Sequence, residues 1–247
     1  CFGFGEQAEW MHGGGQELGD EPSAKFNLKP FMGANTGVQW GGWFNKEINT
    51  VEDFKGLKIR MPGLGGEVLR RLGASVVSIP GGEIYTSLQQ GVIDATEWVG
   101  PWNDMIFGFH KIAKYYYWPG FHEPGSALAL SINLDVWNSL SKSQQAIVRD
   151  ACAAQNDITL AEFNANNSTA LTALVDTHKV ELRRFSDEIL TKIGGVSGDV
   201  MRETAQTDDI TRRTYESFLT SRKNSIRLSQ YAEEAFWQAR RLPFVYE

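Results

Sequence analysis

Leu57-Lys58-Ile59-Arg60-Met61-Pro62-Gly63-Leu64-Gly65-Gly66-Glu67 reads as a strand and a helix start joined at one sharp stop. The apolar run ends at Arg60, and Pro62-Gly63 halts it, so one guanidinium is delivered to a strand end. An α/β sheet places its ligands at such ends. A helix over residues 65–73 closes on Gly73. The spacing then predicts a strand over 75–79, a helix over 83–90 ended by Gly91, and a strand over 92–98. A helix over 102–110 and a strand over 113–118 follow. Upstream, Thr50-Val51-Glu52-Asp53-Phe54 opens a short helix that Gly56 ends. Thr50 is its N-cap, and Asp53 stands at the capping-box position. Strands alternating with short helices imply an α/β fold of parallel βαβ units with right-handed crossovers.

Two further segments flank this one. Asn35-Thr36-Gly37-Val38-Gln39-Trp40-Gly41-Gly42-Trp43-Phe44 precedes it. Gly91-Val92-Ile93-Asp94-Ala95-Thr96-Glu97-Trp98 follows, completed by His122-Glu123-Pro124. Glu97 and Glu123, like Arg60, fall near strand ends. One Arg, two carboxylates, the Gln39 amide and Trp98 describe a small charged pocket, not a nucleophile with a base. From spacing alone, Arg60 reads as a ligand clamp or as half of a structural ion pair. Glu97 and Glu123 read as pocket acids or as solvated turn carboxylates. If the two face one pocket they repel, and a hard cation held by oxygen atoms relieves the repulsion.

Composition excludes several classes. The 247 residues carry a net charge of −6 without blocks of one sign, against the clustered Lys/Arg that nucleic acid requires. No apolar run approaches the ~20 residues of a membrane span. No basic, apolar leader opens the chain. Cys1 and Cys152 are too few for a disulfide framework or a zinc site. The eight Trp and seven Tyr suit a polar cleft with aromatic walls. Gly63-Leu64-Gly65 after a strand would begin a dinucleotide fingerprint only with glycine at position 68, which is Val68. His12-Gly13-Gly14-Gly15 matches the oxyanion loop of lipases, but the G-x-S-x-G elbow it needs is missing. The plainer reading is a helix over 6–19 with a glycine turn.

The second half changes character. It opens on a strand over 126–133, and a further strand spans 27–34 near the start of the chain. Residues 141–178 are nearly free of Gly and Pro, with Ser141 offering an N-cap. Ile147, Val148, Ala151, Ile158, Leu160 and Phe163 lie at helical spacing as an apolar face. A strand over 180–185 leads to a helix capped by Ser186 and broken near Gly194-Gly195. Residues 208–241 read as one long amphipathic helix.

The segments NTGVQWGGWFNKEINTVEDFKGLKIRMPGLGGEVLRRLGASVV, PGGEIYTSLQQGVIDATEWVGPWND and YYYWPGFHEPGSALAL cover most of residues 35–133. In them the chain resembles the solute-binding subunit of a TRAP (tripartite ATP-independent periplasmic) transporter. The ATEW and HEPG pieces resemble the branch that binds 2-oxo or 2-hydroxy monocarboxylates. The resemblance implies a two-lobed, type II-like periplasmic binding protein with a long bracing helix and a C-terminal helix. It implies residues 1–34 as the remainder of lobe I, whose earlier part is missing, and 35–125 as lobe II with the ligand site. Residues 126–178 become a crossing strand and connecting helix, 179–207 a return to lobe II or the hinge, and 208–247 a C-terminal helix that forms a swapped homodimer or packs on its own lobe.

The resemblance also implies the chemistry. Arg60 holds the acid's carboxylate by two parallel hydrogen bonds. Gln39, Glu97, Trp98 (by its carbonyl) and Glu123 bind the acid and a Na⁺ or Ca²⁺ that bridges acid and protein. The partners are a small carboxylic acid and the membrane subunits, and the compartment is the periplasm. The competing class is a metal-dependent lyase or hydrolase acting on a 2-oxo acid. Against it, His12, His110, His122 and His178 show no recognisable ligand spacing.

Overall fold

The computed structural model describes residues 13–123 and 125–245. Cys1, His12 and the first part, residues 6–12, of the helix expected over 6–19 lie outside them. The first described helix, α1 (Gly15–Ala24), starts at the glycine run instead of ending there. Gly14 takes the left-handed conformation at its N-cap (φ 96).

Two sheets form among the described residues. In the smaller, β1 (Leu28–Asn35) pairs antiparallel with β7 (Ala127–Asn133), with a bulge between Met32 and Ala34. The larger contains β2 (Gly42–Phe44), β3 (Lys58–Arg60), β4 (Ser75–Val77), β5 (Ala95–Thr96), β6 (Tyr115–Trp118) and β8 (Glu181–Arg184). Its order is β4-β3-β5-β2-β6-β8. β3 runs parallel to β4 and β5, and β6 parallel to β8. β2 runs antiparallel to both β5 and β6, which corrects the all-parallel expectation. Glycine makes this insertion feasible. A Cβ on Gly42, whose φ is +113, would lie 2.3 Å from the Thr96 carbonyl oxygen, and one on Gly41 would lie 2.5 Å from the Phe185 ring.

Helices α2 (Gly63–Arg71), α3 (Gly81–Gln89) and α4 (Pro101–Phe107) link the strands. The Thr50/Asp53 capping box is present, on a 3₁₀ turn over Val51–Phe54. One core gathers Phe44, Phe54, Ile59, Leu69 and Phe185; another gathers Trp43, Ile84, Phe109, Tyr116 and Leu174.

A short helix, α5 (Leu134–Ser139), precedes α6 (Lys142–Thr172). Ser141 caps α6 in a reciprocal box with Gln144. Its 31 residues span about 46 Å, and it touches both sheets' surroundings. Thr159 Oγ1 accepts from the Asn35 N–H at 2.8 Å, and Asn167 Oδ1 from the Trp102 N–H at 2.9 Å. Its expected apolar face is only partly right. Ile147, Ala151 and Ile158 are exposed, whereas Cys152, Asn156 and Ala170 are buried. Cys152 is a free thiol.

α7 (Asp187–Thr204), capped by Ser186, runs unbroken through Gly194-Gly195, against expectation. Each helical glycine costs about 1 kcal/mol, and buried Ile189, Ile193 and Val200 hold the helix in place. The helix expected over 208–241 is two: α8 (Asp209–Ser229) and α9 (Glu233–Ala239), parted where Ala232 leaves helical geometry. No helix among the described residues is long and apolar enough to cross a membrane.

Candidate functional site

Arg60 closes β3 and pairs in parallel register with Thr96 of β5. The next residue, Glu97, donates its backbone N–H to the Arg60 carbonyl at 3.3 Å. The strand ladder therefore brings the two side chains together. The Arg60 guanidinium forms an ion pair with the Glu97 carboxylate through Nη1, with both side chains nearly buried. Arg60 Nε also donates to the Ile79 carbonyl at 3.3 Å. Its Cζ lies 5.4 Å from the Trp98 ring centroid, a cation–π contact.

The other Glu97 oxygen lies 3.1 Å from His122 Nε2, and His122 is buried. The site is thus an Arg60–Glu97–His122 chain with Trp98 against the guanidinium. Glu97 meets a cationic partner within the protein, so repulsion between two acids does not govern it. Arg60 gives Nε and Nη1 to protein acceptors, and Nη2 has no partner among the described residues.

Glu123 joins through its backbone: its carbonyl accepts from the Gln39 N–H at 3.3 Å. The described contacts include none between its carboxylate and Glu97. Gln39 is buried beneath the same loops. Trp40 N–H donates to the Val99 carbonyl at 3.0 Å, and a Cβ on Gly120 would lie 2.4 Å from the Gln39 carbonyl oxygen. Gln39 Nε2 reaches Thr36 Oγ1 at 3.4 Å, while Oε1 is buried without a partner among the described residues.

That buried oxygen is the observation that bears on a cation. A carbonyl-type acceptor left without a donor costs about 1–3 kcal/mol, and a hard cation satisfies it. No group of three or more His, Cys, Asp and Glu that could hold a metal occurs among the described residues. A site built from two glutamates, one amide oxygen and a backbone carbonyl would not form such a group. The residues therefore fit a Na⁺- or Ca²⁺-type ion completed by ligand oxygens.

Two residues behind the site were not singled out from sequence in this role. In the sequence His122 stands out only as the neighbour of Glu123 and as one of four histidines without ligand spacing. Asp104, fully buried in α4, has no role in the sequence reading. Its carboxylate accepts from the Val99 and Gly100 N–H groups at 3.0 Å each, from Trp43 Nε1 at 2.9 Å and from Tyr116 Oη at 2.8 Å. Burial pushes its pKa up to about 6, outweighing the four donors. The visible signal was an Asp in the first turn after Gly100-Pro101, where a carboxylate satisfies orphan amides.

The profile of the bacterial extracellular solute-binding protein family 7 (DctP) matches residues 2–208. The monocarboxylate 2-oxoacid-binding periplasmic protein of Nostoc sp. is 43% identical over 225 residues, covering 90% of this chain and 62% of the relative. The chain thus spans less than two thirds of that relative's length. A TRAP periplasmic solute-binding protein from Pseudoalteromonas atlantica, solved with sodium and pyruvate, superposes with a TM-score of 0.90 at 38% identity. That match covers 95% of this chain and 71% of the other. One from Colwellia psychrerythraea, solved with calcium and pyruvate, gives 0.92 at 37%, covering 97% and 73%. With the α/β architecture and the strand-end site, these matches place the chain in the two-lobed periplasmic binding fold. The chain belongs to the family 7 bacterial extracellular solute-binding proteins, the DctP family of TRAP transporter solute-binding subunits.

Proposed function

We propose that the protein captures a small 2-oxo or 2-hydroxy monocarboxylate, such as pyruvate, together with Na⁺ or Ca²⁺, and presents it to TRAP membrane subunits in the periplasm. The observation that carries this reading is the buried Arg60 beside Glu97 and Trp98. Arg60 would meet the acid's carboxylate with Nη2, and Trp98 would wall the pocket. Gln39 Oε1, Glu97, the Trp98 carbonyl and Glu123 would hold the cation, whose charge would neutralise the acid. Glu97, shared between Arg60 and His122, acts as a binding group and not as a catalytic one. No turnover of pyruvate is expected.

The larger sheet, residues 35–125 with the return at 179–207, serves as lobe II. The β1–β7 sheet belongs to lobe I, and α6 braces both. Closure about the strands after Gly120 follows because the ligand interacts better with the closed state. Exposed Leu228, Tyr231, Phe236 and Trp237 on α8, α9 and the turn between them offer an apolar surface for a second copy.

Calorimetric titration of Arg60→Ala with pyruvate and calcium tests the reading. Binding is expected to vanish. Micromolar binding retained by the variant would refute it.

A further inference from the structure

A cavity of about 520 Å³ lies between α2, α7 and α8, within the range of small-molecule pockets. Leu64 and Val68 of α2, Ile193 of α7, and Phe218 and Leu219 of α8 give it apolar walls. Gln39, Arg60, Glu97, Trp98 and Glu123 do not line it; His122 does, from behind the Glu97 carboxylate. It is therefore a neighbour of the site described above, with one shared wall.

Two features set it apart from loose packing. Gly198, half-buried, and Gly194, exposed at the rim, line it from α7, and a Cβ on either would meet nothing within 4 Å. Helix-interior glycine is unfavourable, and neither position needs it for backbone geometry or close approach. Leucine at either would fill the space. The second feature is Arg222 of α8, which also lines the cavity. Arg212 and Arg213 on the same helix are each tied to acidic side chains. Arg222, which is solvent-exposed at the cavity rim, forms none of the ion pairs found among the described residues.

An apolar chamber with one uncommitted guanidinium is complementary to an amphiphile with one anionic head. We infer that this cavity is a second ligand site, for a medium-chain monocarboxylate whose alkyl tail lies among α2, α7 and α8 and whose carboxylate meets Arg222. The tail contributes by leaving water. The head is selected by charge, and a neutral alcohol of equal length forfeits that contact.

The test is calorimetry of the whole chain with hexanoate, octanoate and 1-octanol, in saturating pyruvate and calcium so that the first site is occupied. Octanoate should bind one to one, about fourfold tighter per added methylene. Gly198→Leu should weaken octanoate at least tenfold while leaving the melting temperature unchanged or higher, and Gly194→Leu serves as an independent filler. Arg222→Ala should weaken octanoate and leave octanol unchanged. The inference is overturned if octanoate shows no saturable binding, if pyruvate with calcium displaces it, if affinity ignores chain length, or if both leucine variants bind it as the parent does.

Discussion

The guanidinium of Arg60 and the carboxylate of Glu97 meet at the ends of two neighbouring parallel strands, and both side chains are nearly out of water. A buried pair of this kind adds little net stability, but removing one member strands the other charge, at about 3 kcal/mol or more. Glu97→Ala is therefore expected to lower the unfolding free energy of the ligand-free protein by about 3 kcal/mol, read by urea denaturation. A change within the ~0.5 kcal/mol typical of surface substitutions would show that solvent reaches the pair.

Asp104 gives a pH dependence with a definite sign. Its folded-state pKa of about 6 lies above the 3.8 of a free aspartate, so the folded protein holds that proton more tightly. Its contribution to stability is fully present below about pH 4 and is lost as pH rises toward 6. Above that the contribution is flat. Asp104→Asn should remove this slope from the stability–pH curve. It should also cost about 1–3 kcal/mol at pH 7, because the new amide faces the Trp43 and Tyr116 donors. An identical slope in parent and variant would assign it to another group.

Gly42 permits the antiparallel insertion of β2. Its φ of +113 and the 2.3 Å approach to the Thr96 carbonyl oxygen combine two penalties for any side chain. Gly42→Ala should destabilise by more than about 2 kcal/mol and disturb the loop that follows Thr96. Gly56→Ala serves as the control: its φ is also positive, at +71, but nothing lies within 4 Å. Equal thermal shifts in the two variants would mean that backbone strain alone, not the close approach, explains Gly42.

Much of this was legible because local signals agreed. The stop at Pro62-Gly63 placed Arg60 at a strand end, and parallel pairing of its strand with the one before Glu97 brought the two side chains together. Gly56, Gly73 and Gly91 marked turns that do take positive φ. The antiparallel β2 was not legible, since Gly42-Trp43-Phe44 is three buried residues with no alternation to read. The glycines of α7 misled for a related reason: flanking buried side chains outweigh a local helix penalty. The direct Arg60–Glu97 contact was not foreseen, because sequence separation does not report which of several charges within reach will pair. Ile147 and Ile158 fit a helical period but face solvent. Period shows that a face exists, not that something covers it.

Acid and cation are expected to bind as a pair at Arg60, Gln39 and Glu97. Coupling of this kind is reciprocal. Pyruvate affinity should be measured by calorimetry across a calcium titration, and again in sodium with EDTA, for the parent and for Gln39→Leu. Pyruvate binding is expected to strengthen at least tenfold with cation, and Gln39→Leu to lose most of that gain. Pyruvate affinity that is the same with and without cation would contradict it.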